Sequence, residues 1–149
     1  MKKLLLLFSI LTIYVCQAQD GGKSIRSFNV LPTNDAETNK QNLQKAIDWA
    51  SASGAALWVE PSEEPYTIAS GIILKRNVSL IGVHGPTPRG TRHASKKQPV
   101  GSVFRIIDTA HAFITVESAT QVKGIQFWYA SQELTDRSEE HTSELQSPI

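Results

Sequence analysis

The spacing of apolar residues in this chain changes once, at Gly54, from a helical period to a strand period. Upstream, Leu43, Ala46, Ile47 and Ala50 recur at i, i+3, i+4 and i+7, the stripe of an amphipathic helix. Thr38-Asn39-Lys40-Gln41 has the form of a capping box ahead of that stripe, and Gly54 supplies the left-handed residue that ends it. Downstream, short alternations at 56–60, 66–68, 72–74, 78–81, 103–107, 113–116 and 124–128 are separated by Gly, Pro, Asn and Ser clusters. A further alternation at 24–30 predicts an edge strand, followed by turn chemistry in Leu31-Pro32-Thr33-Asn34-Asp35.

One helix followed by many short strands makes the chain mainly β, and both a sandwich and a coiled solenoid produce this pattern. Strand brevity and self-similarity favour the solenoid. Leu57-Trp58-Val59, Leu80-Ile81-Gly82 and Ile125-Gln126-Phe127 each open a set of three strands; the first two openings are 23 positions apart and the third lies 45 further on. That second interval is one more coil plus an insertion of about 22 residues between His84 and Val103. In such a stack each coil adds a rung about 4.8 Å thick. The open N-terminal end would expose apolar interior, so a helix with one apolar face is the expected cover.

Both ends of the chain stand outside this pattern. Lys2 and Lys3 precede an apolar run at 4–15, and Cys16 and Ala18 follow with small side chains, the layout of a secretory signal. The run is too short to span a bilayer. Cleavage after Ala18 is expected to leave a cysteine-free chain that is secreted or periplasmic and carries no membrane anchor. At the other end, residues 137–147 are polar and aperiodic, and they match, residue for residue, the translation of a common short-read sequencing adapter. Residues 137–149 are therefore expected to be a non-native tail, with the native segment spanning 19–136.

Composition narrows the function classes. With 15 Lys plus Arg against 14 Asp plus Glu, a net charge of +1 and one Cys, the chain is not a nucleic-acid binder driven by bulk charge, a disulfide-stapled miniprotein or a zinc ribbon.

A family resemblance rests on Phe28-Asn29-Val30, on Asn39 through Gln44 to Ala46-Ile47-Asp48, on Gly54-Ala55-Ala56-Leu57-Trp58-Val59-Glu60-Pro61, on Tyr66-Thr67-Ile68, and on Asn77-Val78-Ser79-Leu80-Ile81-Gly82. This run resembles the N-terminal part of the pectate lyase superfamily. Those proteins begin with a Phe-Gly-Ala strand, a capping helix with an Ala-Ile-Gln-x-Ala-Ile-Asp-like stripe, and a Pro-x-Gly-x-Tyr turn into the first coil. Asn29 stands where the family has glycine, Pro32-Thr33-Asn34-Asp35 replaces its Gly-Asp-Gly turn, and Glu63-Glu64-Pro65 replaces the turn glycine before Tyr66. The resemblance implies a right-handed parallel β-helix of the pectin lyase-like kind with an N-terminal capping helix, here a fragment of the full domain. It also implies that hydrolase carboxylates, or the calcium-binding acids and basic catalyst of lyases, lie on later coils. None of those motifs has a matching position here, so no catalytic residue is carried over. No cofactor is expected for the segment itself; calcium enters only on the missing coils, if the parent is a lyase.

Charge distribution supplies the candidate binding residues. Between Glu64 and Asp108 there is no acidic residue, whereas Lys75, Arg76, Arg89, Arg92, Lys96, Lys97 and Arg105 are all cationic. Arg89, Arg92, Lys96 and Lys97 fall in the insertion, and they form either a cationic lip for an acidic polysaccharide or an ordinary solvated loop. Trp128 and Tyr129 are placed either to stack on sugar rings or to fill the core. Glu60, Glu63 and Glu64 are the nearest approach to an acid and base pair, although acids beside a turn proline are usually solvated. His84, His93 and His111 lack metal-ligand spacing. Asn77-Val78-Ser79 is a glycosylation sequon in a eukaryotic secretory route alone.

Three readings follow from the residues and the resemblance. The first is an exported N-terminal fragment of a polysaccharide-degrading enzyme, glycoside hydrolase or polysaccharide lyase, inactive as it stands. The second is a non-catalytic carbohydrate-binding or structural β-helix, adhesin or tailspike-like. The third is a product of faulty assembly, in which case residues 19–136 alone should aggregate or stay partly unfolded.

Overall fold

The computed structural model describes residues 21–85, 99–108 and 110–131. Strand β1 (Gly22–Ser24) and a 3-10 turn (Ile25–Phe28) come first, then helix α1 (Ala36–Ser53), then β2 (Ala56–Val59), β3 (Tyr66–Ile68), β4 (Ile72–Leu74), β5 (Ser79–Gly82), β6 (Val103–Ile106), β7 (Ile114–Val116), β8 (Gln121–Lys123) and β9 (Gln126–Trp128). Three sheets result, ordered β1-β2-β5-β8, β3-β6-β9 and β4-β7, and every pairing between these strands is parallel. From β2 onward the chain visits the first, second and third sheet in fixed rotation. A sandwich of antiparallel hairpins does not pair this way.

Register explains the core. Leu80 lies between Leu57 and Val122, Phe104 lies between Tyr66 and Phe127, and Leu74 lies beside Val116. Side chains on a strand alternate between faces, so each aligned set piles up on one side of its sheet. Leu57, Tyr66, Leu74, Leu80 and Phe104 are fully buried, and Phe104 touches the rings of Tyr66, Phe113 and Phe127 at centroid distances of 6.1–6.3 Å. Helix α1 packs on β2, β3 and β4 through Leu43, Ala46, Ile47 and Ala50, all fully buried, as the helical stripe predicts. Burying a leucine or isoleucine of this kind contributes about 1.5–3 kcal/mol.

The helix starts one turn earlier than the capping-box pattern predicts. Asp35, not Thr38, is the N-cap: its carboxylate accepts from the Thr38 backbone N–H at 2.9 Å and from the Thr38 hydroxyl at 2.6 Å. These bonds, the hydroxyl's foremost, hold the Asp35 carboxyl below its ordinary pKa. Gly54 ends the helix at φ +63°, as expected.

The edge strand predicted at 24–30 is also corrected. Only Gly22–Ser24 pairs with β2; the Ser24 hydroxyl accepts from the Arg26 N–H, and the chain then tightens into the 3-10 turn. Asn29 closes that turn at φ +61°, a conformation asparagine tolerates better than most residues, and this lets Ile25 and Val30 both reach the core. Strand β8, which the pattern does not predict, is exposed along its length and owes its conformation to its ladder with Ser79–Ile81. The third passage through the first sheet is therefore at Gln121–Lys123, and Ile125-Gln126-Phe127 leads into the next strand of the second sheet. Tyr66 and Phe104 are 38 positions apart, which exceeds the 23-residue repeat by 15, so the insertion ahead of β6 is 15 residues and not 22; four more residues enter between β6 and β7.

Candidate functional site

The four cationic residues singled out in the sequence, Arg89, Arg92, Lys96 and Lys97, lie outside the described residues, as does His93. The root of their loop is described. His84 and Gly101 form an antiparallel bridge across it. Ser102, fully buried, donates its hydroxyl to the Val59 carbonyl at 2.5 Å and accepts from the Val83 N–H at 2.8 Å. The Gln126 side-chain amide donates to the carbonyls of Val100 at 2.5 Å and Gly85 at 3.4 Å, tying both legs of the loop to β9. Gly124, at φ +69°, sits so close to the Gly82 carbonyl that a Cβ would collide with it, which lets β9 pack under the loop root.

The outer face of the second sheet leads away from this root. On β6, Phe104 and Ile106 are buried and Arg105 is exposed between them; on β3, Tyr66 and Ile68 are buried around the half-buried Thr67. Register places Thr67, Arg105 and Trp128 in one row across three strands, about 10 Å end to end at the normal strand spacing. The Arg105 guanidinium lies over the Trp128 ring, 5.8 Å from its centroid. Gln126 and Trp128 are two apart on β9 and so share the outer face. The loop that carries Arg89, Arg92, Lys96 and Lys97 is thus anchored on the same face as the Arg105–Trp128 pair. This pairing is absent from the motif reading, although the 23-residue repeat separating Leu57 from Leu80 also separates Arg105 from Trp128.

The remaining candidates sort differently. Tyr129 is partly buried and packs against the core. Glu60 pairs with Arg26 at 2.8 Å; the Arg26 Nε–H is shared with the Tyr66 hydroxyl at 2.9 Å, and that hydroxyl donates to the Glu60 carbonyl. The bond to Tyr66 raises the Arg26 pKa, and burial raises that of Tyr66 against the pull of Arg26. Glu60 is thus committed to a lock between the 3-10 turn and the turn after β2. Lys75 pairs with Asp48 on α1 at 2.9 Å. Burial pushes the Asp48 carboxyl up, but hydrogen bonds from Lys75 and Gln44 outweigh it and leave the pKa lowered. His111 pairs with Asp108 at 2.8 Å, and the Ala110 N–H followed by His111 holds the Asp108 carboxyl low.

Two surfaces outside the second sheet were not anticipated. Trp58 is 48% exposed on the first sheet, in a row with Ser24, Ile81 and Lys123. An open depression of about 320 Å³ runs along α1 past Lys40, Gln44, Asp48 and Gly71, where the Gln44 amide is already spent on the Ile73 backbone. Among the described residues no group of three or more His, Cys, Asp or Glu is placed to hold a metal ion, and no helix is long and apolar enough to cross a membrane. No family model matches the chain, and no match was found among curated proteins or solved structures.

Proposed function

We propose that the chain is the exported N-terminal part of a polysaccharide-degrading enzyme, a glycoside hydrolase or polysaccharide lyase built on a right-handed parallel β-helix of the pectate lyase superfamily. The observation that carries this reading is the fixed rotation of the chain through three parallel sheets behind a capping helix. Parallel crossovers are right-handed in nearly all proteins, which supports the hand. Stacked repeats offer long, regular outer faces suited to extended polymers. The cationic insertion rooted beside Arg105 and Trp128 favours an acidic polysaccharide as the partner. In this reading the catalytic groups sit on further coils, and the present residues bind and align the polymer.

The test is affinity electrophoresis of the full chain through gels containing polygalacturonate or a neutral glucan, with parallel assays for new reducing ends and for unsaturated uronate products. Retardation by the acidic polymer without turnover is expected, and the R89A/R92A/K96A/K97A variant should be retarded less, with a weaker dependence on salt. Migration unaffected by any polysaccharide overturns the proposal. A second reading, a non-catalytic adhesin-like or tailspike-like β-helix, draws on Glu60 being tied to Arg26. Sequencing the source DNA through the codon for Asp136 separates the two: clustered aspartates on new coils favour the enzyme, a trimerising tail the fibre.

A further inference from the structure

We infer that Arg105 is the anion-reading group of a subsite for a negatively charged sugar residue, with Trp128 as its positioning residue and Thr67 as its neighbouring hydroxyl. The inference rests on the polysaccharide reading above and goes beyond it by naming the residues and the sugar chemistry.

The placement of Arg105 follows from its strand. β6 is the central strand of its sheet, hydrogen-bonded to β3 on one side and β9 on the other, so the Arg105 backbone is held from both edges. Its neighbours Phe104 and Ile106 are buried, and alternation leaves the guanidinium no direction but outward. There it lies over the Trp128 indole. Among the described residues no carboxylate forms a salt bridge with it, whereas Arg26, Lys40 and Lys75 each have one.

An arginine held by stacking keeps its planar fork of N–H donors directed along the sheet surface, where a carboxylate or sulfate can meet it edge-on through two hydrogen bonds. Because Trp128 and the strand have already restricted the side chain, less conformational freedom remains to be lost on binding. Thr67 is the next residue in the row, one strand spacing away, and supplies a hydroxyl that both donates and accepts for a ring hydroxyl of the same sugar. The Gln126-anchored loop adds long-range attraction, whereas the fork on β6 supplies the geometric selection.

The experiment titrates the full chain, and its R105A, R105K, W128F and R89A/R92A/K96A/K97A variants, with three probes: oligogalacturonate, a sulfated galacto-oligosaccharide and a neutral gluco-oligosaccharide. Tryptophan fluorescence and calorimetry are the readouts. R105A should weaken binding of the anionic probe by about tenfold to a hundredfold, the loss expected for one charge-assisted hydrogen-bonded contact. R105K keeps the charge but not the fork, and should recover little of that affinity. W128F, with a poorer stacking face, should fall between wild type and R105A. The insertion variant should slow association and flatten the salt dependence while retaining the change in tryptophan emission. Binding of oligogalacturonate alone assigns the subsite to a carboxylate sugar, and binding of the sulfated probe alone assigns it to a sulfate ester. Anionic binding unchanged in R105A and R105K overturns the subsite and leaves the polysaccharide proposal standing. Binding of the neutral probe alone also overturns the subsite, and no binding of any probe overturns both.

Discussion

The side-chain amide of Asn39 donates to the main-chain carbonyl of Thr67 at 3.0 Å, joining α1 to the first strand of the second sheet. The same amide donates to the Leu31 carbonyl at 2.8 Å, and its oxygen accepts from the Leu31 N–H and from Asn34. Asn39 is fully buried within the helix, so replacing it by alanine leaves backbone groups on two other segments without partners. N39A should destabilise the chain by about 2–4 kcal/mol in urea unfolding. A loss below about 0.5 kcal/mol, the range of an ordinary surface change, would show that the knot is dispensable.

Phe104 is the hub of the aromatic column, in ring contact with Tyr66, Phe113 and Phe127. F104A should cost about 3–5 kcal/mol, and F104L distinctly less because it refills most of the volume. Equal losses would place the stabilisation in ring-ring geometry instead of in filled space.

Acid should loosen the helix cap. The Asp35 carboxyl titrates lower in the folded chain than in the unfolded one, so the unfolded state binds its proton first. Its stabilisation is complete above the unfolded value, near pH 4, and is lost as the pH falls through the lower folded value. Asp48 and Asp108 shift the same way and add to the slope. D35N preserves a capping oxygen without the titration, so its melting temperature should change less between pH 7 and pH 3 than that of wild type. D35A should melt lower than D35N at pH 7. A D35N profile parallel to wild type would rule out Asp35 as a source of acid sensitivity.

Among the described strands, β7, β8 and β9 are the outermost of the three sheets, and their inward-register residues Val116, Val122 and Phe127 remain exposed. An apolar edge of this kind templates further strand pairing. The full chain should scatter light at micromolar concentration, and V122K should suppress that scattering while shifting the melting temperature by no more than a few degrees. Equal scattering from V122K and wild type would place the contact elsewhere.

Local side-chain periodicity was enough to reveal α1 and most strands, because each is a single face repeated over a few residues. Strands 66–68 and 72–74 match the observed bounds, and Gly54 is the helix stop that its residue type predicts. Gln121-Val122-Lys123 carries no such face, and only the ladder to β5 makes it a strand. Asp35 captured the helix start from Thr38 because the capping geometry depends on where the preceding turn delivers the chain.

The sequence by itself determined the type of α1 and of most strands, the repeat of 23 positions between Leu57 and Leu80, and the apolar face that α1 lays on the sheets. Only the tertiary structure decided that Arg105 would lie over Trp128, that Asn39 would reach Thr67, and that the cationic insertion would root on the outer face of the second sheet. The physical reason is that periodicity is a property of one segment, whereas register is settled between segments by how much chain separates them and by which backbone groups find partners.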